Sequence, residues 1–175
     1  YFSSSMDEAM KNQVSLIKKG YFDIMKIVSI YKDSISKTIL SEMLDKDSYC
    51  LSTKLNELVG MGLLNEKMAD WGYSYSISNV HLKRLIYYGI PIDDRIELHK
   101  KLAELLEKNY STNYKMIMGE LIHHLIASHQ TEKALDHIIN EAREETNILS
   151  TQSVILWKEA YEITKDTSSD YKIEI

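Results

Sequence analysis

The sequence predicts a mainly α-helical protein with one short β-hairpin in its first half. Three observations carry that class. Chain breakers are scarce, one proline and six glycines in 175 residues, which favours helices joined by short connections. Apolar residues recur at three- and four-residue spacing along most of the chain. Only around Leu63 to Asn79 does that spacing give way to alternation: Tyr73, Tyr75 and Ile77 are separated by serines, the period of a strand.

Taken in order, the first helical stretch runs from Asp7 to Lys19 and is ended by Gly20. The second, Tyr21 to Tyr31, places Ile24, Ile27, Val28 and Tyr31 on one face. The third, Ser36 to Leu44, turns Ile39, Leu40 and Met43 inward, and the fourth, Ser48 to Val59, aligns Leu51, Leu55, Leu58 and Val59. LLNEKMAD and YSYSISN then form two strands about a turn at Trp71 and Gly72. Helix, helix, hairpin is the order of a winged helix, a variant of the helix-turn-helix. A helix from His81 to Tyr88, closed before Gly89 and Pro91, completes a winged-helix-like domain over residues 7–88.

Residues 89–165 are predicted as a helical linker and a repeat segment. In the helix Asp93 to Glu107, Asp94 and Glu97 have capping-box spacing, and Leu98, Leu102, Leu105 and Leu106 form the apolar stripe. A polar joint, NYSTNY, leads to a helix from Lys115 to Ser128. Thr131 caps the next, which reaches Asn147. The last, Thr151 to Thr164, aligns Leu156, Trp157, Ala160 and Tyr161, and the tail DTSSDYKIEI reads as frayed or cut. Small residues such as Ala134 and Ala142 suit the contacts of an α-solenoid, with the tetratricopeptide (TPR) signature present in degraded form.

Charge and composition narrow the function. The apolar fraction is 44%, ordinary for a globular protein, and the formal net charge is −5, which argues against a dedicated nucleic-acid binder. Cys50 is the single cysteine, so neither an internal disulfide nor a cysteine-based zinc site can form, and a reducing, cytoplasmic setting is expected. No apolar run is long enough for a membrane span, and YFSSSMDEAMKNQ lacks the basic start and apolar core of a signal peptide. Because the chain opens at Tyr1, we expect a piece of a longer protein.

No reaction centre is legible, so the chain is not expected to be an enzyme. The G-x-x-x-x-G-K-[ST] phosphate loop and the nucleophile elbow are both missing. Cys50, beside Leu51, reads as a small core residue. Glu120 and His123 have the Glu-x-x-His spacing of di-iron bundles, but no second copy occurs. His123 and His124, adjacent on a helix, point about 100° apart, so with His129 they read as structural residues, one buried and one exposed, and no metal is expected. Tyr87 and Tyr88, like Tyr110 and Tyr114, are expected to fill the core, with partner contact as the alternative.

Two sets of residues carry the functional expectations. Arg95 and His99, one helical turn apart, read as a structural pair, with Arg95 bridging to a carboxylate and His99 hydrogen-bonded beside the leucines. Together with Leu98, Leu102, Ala103 and Leu106 they would couple the two halves of the chain. The alternative is a DNA-binding winged-helix regulator with a helical effector domain, reading bases through Ser52, Thr53, Lys54 and Asn56. Against it, Glu57 opposes the lone Lys54 on that face, and the wing sets Glu66 and Asp70 against Lys67.

The run YSYSISNVHLKRLIYYGIPIDDRIELHKKLAELLE resembles the region after the ATPase core in bacterial signal-transduction ATPases with numerous domains (STAND, AAA-type regulators). There, a Phe-Ser-His-Asp stretch leads into a helix ending in Ile-Tyr, and a further helix carries an arginine, Leu-His, an alanine and Leu-Glu. Ile86 and Tyr87 match the end of the first helix, and Arg95, Leu98, His99, Ala103, Leu106 and Glu107 match the second. GELIHHLIASHQTEKAL resembles the start of the family's helical repeats through Glu120, Leu121, His124, Ala134 and Leu135. The likeness covers roughly Tyr21 to Thr164, taking the wing and repeat periodicities together.

The resemblance implies a winged-helix module packed on an ATPase module, then TPR-like repeats that bind proteins and relay a signal to an output domain such as a kinase, a cyclase or a transcription factor. It implies no cofactor in this chain and ATP or ADP in the parent. The chain departs from the pattern at the nucleotide-sensing pair. Asn79 stands at the histidine position and Val80 at the aspartate position, with His81 displaced onto another helical face. Asn79 can donate a hydrogen bond to a phosphate but carries no charge, and is the nucleotide-contact candidate in the parent.

Overall fold

The computed structural model describes residues 19–45, 48–69, 72–109 and 114–144, with isolated helical positions at Ile155, Lys158 and Glu162. The expected helix from Asp7, the turn at Trp71, the centre of the NYSTNY joint and most of the helix Thr151 to Thr164 lie outside them. Among the described residues the chain is mainly helical, with one small antiparallel sheet. The order is α1 (Lys19–Ile30), β1 (Ile35–Ser36), α2 (Lys37–Leu44), α3 (Ser48–Gly60), β2 (Leu64–Ala69), β3 (Gly72–Ile77), α4 (Val80–Gly89), α5 (Ile92–Asn109), α6 (Tyr114–Ala127) and α7 (Thr131–Glu144). The chain divides into two units, the first ending at Leu105 and the second beginning at Leu106, so the boundary falls inside α5.

In the first unit, β3 is the central strand of a three-stranded sheet ordered β1-β3-β2. Central placement explains a break in the alternation. Ser74 is buried because Ser36 flanks it on one side and Lys67 on the other, and its hydroxyl donates to the Lys67 carbonyl at 3.3 Å. Tyr75 and Ile77 turn into the core, whereas Tyr73, paired with Met68 near the hairpin tip, is exposed.

The helices close the other side of this core. α1 packs on α2, α4 and β3 and buries Ile24, Ile27 and Val28, and Tyr31, expected as its last residue, is buried just past its end. α2 adds Ile39 and Leu40, α3 adds Leu51, Leu55 and Leu58, and α4 adds Leu82 and Ile86. Each such side chain contributes about 1.5–3 kcal/mol on burial.

Four expectations change here. Gly20 does not end a helix; it lies inside α1 without positive φ, so its side-chain-free Cα costs helix propensity but not continuity. β1 joins what was expected to be a two-stranded hairpin, and Ser36, expected to begin a helix, belongs to it while its hydroxyl accepts from the Ile39 amide at 3.2 Å to cap α2. Cys50 is exposed rather than packed in the core, because the next residue, Leu51, takes the inward position. Asp94 caps nothing: α5 begins at Ile92, directly after Pro91, and the Arg95 amide already donates to the Pro91 carbonyl at 3.0 Å. Asp93 and Asp94 instead place negative charge in the first turn, where the helix dipole favours it.

In the second unit the end of α5 is followed by α6 and α7, which pack on each other through the turn Ser128–Gln130. They bury Met118, Leu121, Leu125, Ala134, Leu135 and Ile138. Thr131 is the first helical residue of α7 rather than its cap, since the Ala134 amide donates to the Gln130 carbonyl.

Two helices end in the same way. After α3, the Leu63 amide reaches the Leu58 carbonyl and the Gly62 amide the Val59 carbonyl, with Gly62 at φ +70. After α6, the Gln130 amide reaches Leu125 and the His129 amide reaches Ile126, with His129 at φ 60. Both are Schellman motifs, whose left-handed position suits glycine. We expect His129→Gly to stabilise the protein by about 0.5–1 kcal/mol and Gly62→Ala to destabilise it by about 1 kcal/mol, read as shifts in urea midpoint. Destabilisation by His129→Gly would show that the imidazole makes contacts worth more than the backbone strain.

Candidate functional site

Two polar residues singled out by the sequence, Arg95 and His99, lie at the corner between α4 and α5. α4 ends at Gly89; Ile90 is buried and extended, its amide donating to the Tyr87 carbonyl at 3.3 Å, and Pro91 then fixes the entry to α5. This corner folds Tyr87 and Tyr88 against Arg95 and His99. The Arg95 guanidinium lies 4.8 Å from the Tyr87 ring centroid and 5.4 Å from that of Tyr88. The two tyrosine rings meet edge to face at 5.2 Å. His99, 1% exposed, shares a hydrogen bond with the Tyr87 hydroxyl at 3.3 Å.

Among the described residues Arg95 therefore rests on aromatic faces, not on the carboxylate expected for it. Its planar, weakly hydrated cation stacks well on tyrosine, and i and i+1 tyrosines at a helix end offer two such faces. The cluster holds a hydrogen bond, a cation and two rings, an arrangement that fixes an angle between helices. Farther along α5, Leu98 is half-buried, and Leu102 and Ala103, the last of these to belong to the first unit, are buried. Leu106, also buried, belongs to the second.

In the second unit Glu107 accepts from His137 at 3.0 Å and pairs with Lys133 at 3.7 Å, tying the end of α5 to α7. His124 is fully buried, with Glu120 at 3.3 Å one turn before it, while His123 is half-buried and His129 occupies the left-handed turn position.

Asn79 sits between β3 and α4 and is exposed. Its side-chain oxygen accepts from the amides of His81 at 2.8 Å and Leu82 at 3.4 Å, so it is the N-cap of α4. The cap uses the side-chain acceptor of an exposed residue.

The alternative DNA-reading residues lie on α3. Thr53 and Asn56 are exposed, and Ser52 and Lys54 are half-buried. The Lys54 ammonium lies 3.3 Å from where a Cβ on Gly20 would stand, so it leans back on α1. Glu57 accepts the Tyr21 hydroxyl.

Two interactions escaped the sequence. Lys83 of α4 donates to the Tyr31 and Lys32 carbonyls, at 2.6 and 2.7 Å, just past the end of α1. The Tyr75 hydroxyl donates to Glu66 at 2.7 Å, its cross-strand partner. Burial first, then this bond to a carboxylate, raises the Tyr75 pKa well above the ordinary tyrosine value. A raised folded-state pKa stabilises the fold below the unfolded value near 10, and that contribution is lost as pH climbs toward the folded value. Titration by absorbance at 295 nm is expected to show late-ionising tyrosine absorbance that falls by one residue's share in Tyr75→Phe, with Tyr21, bonded to Glu57, also ionising late. Loss of one residue's share from the ordinary part of the curve instead would show that Tyr75 is neither buried nor bonded to Glu66 in solution.

No protein-family model matches the chain, and a search of curated proteins finds no match either.

Proposed function

We propose that this chain is a non-catalytic coupling arm of a larger bacterial signalling ATPase. A winged-helix-like module, a linking helix and TPR-like repeats would pass the state of a neighbouring ATP- or ADP-bound module to an output domain through protein contacts. The observation that carries this reading is α5: one unbroken helix contributes residues to both units. The winged-helix part is supported by the order helix, short strand, helix, helix, hairpin, with the short strand added beside β3. The repeat part is supported by the packed pair α6 and α7. Arg95 and His99 serve it as the fastening of α5 to α4, and Asn79, an exposed cap, remains the position from which a nucleotide would be felt.

A DNA reader is the poorer account of the same fold. Its only basic residue on the expected recognition face, Lys54, leans on α1, and phosphate anchoring needs several such cations.

The test is the gene on either side of this segment. A phosphate-binding loop and a Walker-B-type acidic strand upstream, with output activity that tracks nucleotide state and is lost on disrupting α5, would support the proposal. A gene with no nucleotide-binding module ahead of the segment would overturn it. A salt-dependent shift of duplex DNA by this chain would then favour the regulator.

A further inference from the structure

We propose that the outward face of α4 is a docking surface for an acidic, amphipathic helix of a protein partner. The proposal deepens the coupling reading, by naming a surface and the chemistry of its occupant, and rests on that reading for the partner's place in the parent protein. Val80, Arg84 and Tyr88 recur every fourth residue on the solvent side of α4, and Val80 and Tyr88 are 59% and 72% exposed. Ile92, 63% exposed, comes just after the corner. Large apolar groups at this spacing present a stripe that an apolar helical stripe can cover.

Charge selects the kind of helix. The chain as a whole has a net charge of −5, yet no carboxylate occurs between Asp70 and Asp93. Among the described residues none pairs with Arg84, and Arg95 lies over the rings of Tyr87 and Tyr88. A guanidinium held by ring contacts alone still has N–H groups for bidentate contact with a carboxylate. Two guanidiniums beside an apolar stripe therefore complement a helix that carries Asp or Glu next to its own apolar residues. A nucleic acid fits less well: its phosphates would gain nothing from the exposed apolar side chains of Val80 and Ile92.

The experiment places a benzophenone amino acid at Val80 in the parent protein, in its host cell, and sequences the peptide captured on irradiation. The expected result is one peptide rich in Asp and Glu with apolar residues at helical spacing. Capture is expected to fall roughly tenfold or more in Arg84→Glu, where like charges meet. Circular dichroism checks that this variant folds, and Arg84→Gln replaces it if it does not. Capture of nucleic acid, of a peptide without carboxylates, or with a yield indifferent to Arg84 would overturn the docking surface, as would no capture. An acidic peptide from the parent's own nucleotide-binding module supports both proposals. An acidic peptide from a separate polypeptide, captured through Arg84, keeps the docking surface and removes the coupling arm.

Discussion

Leu102→Asp is expected to destabilise the protein by at least about 4 kcal/mol, enough to remove most of the stability of an ordinary domain. Leu102 is fully buried in the middle of α5. The substitution removes an apolar side chain and leaves a carboxylate where no water can solvate it, two costs that add. Leu102→Ala carries only the first and should cost about 2–5 kcal/mol. Leu98→Asp, at a half-buried position one turn earlier, should cost much less. Urea denaturation monitored at 222 nm reads all three. An unchanged midpoint for Leu102→Asp would mean that α5 does not bury this face, and the coupling proposal would lose its physical basis.

Lys83→Met is expected to cost about 1.5–3 kcal/mol, the range for a hydrogen bond to a charged group. Lys83 reaches across to the chain leaving α1 and satisfies the carbonyls of Tyr31 and Lys32, just beyond the last helical turn. These lie where a helix concentrates negative partial charge, so an ammonium is favoured there twice over, by hydrogen bonding and by the dipole. Methionine keeps the length of the stem and removes only the cation. Lys83→Arg should recover part of the loss. Equal stability of wild type and Lys83→Met in urea would show that water serves those carbonyls equally well.

The inward faces of the helices were legible because three- and four-residue spacing reports burial directly: Ile24, Ile27, Val28, Leu51, Leu55 and Leu58 are all buried as their pattern implies. Short elements were not. β1 is two residues long, too few to display a period, and it exists because β3 offers it an edge. Helix ends depended on chemistry the pattern does not carry. Asp94 and Glu97 match a capping box by spacing alone, yet Pro91 had already started the helix. His129 adopts the conformation that a glycine would advertise.

The candidate site divides along the same line. Arg95 and His99 were found by helical spacing, but their partner Tyr87 comes from the preceding helix, across a corner whose angle no local pattern states. Lys83 and the chain it anchors lie 51 and 52 residues apart, so only the folded chain brings them together.

The turn after α6 has a consequence for how this protein can change length. Gln130 closes one helix with its amide and opens the next with its carbonyl, while its side chain donates to Ser128 at 2.9 Å. A single residue thus finishes one element and starts another, and no position in between is spare. Surface turns usually tolerate insertion, because lengthening a loop costs little entropy. Here an added residue would have to give up either the closing bond or the opening one. In variants of this protein, length differences should therefore gather elsewhere on the surface and leave Ser128, His129 and Gln130 as an uninterrupted triplet.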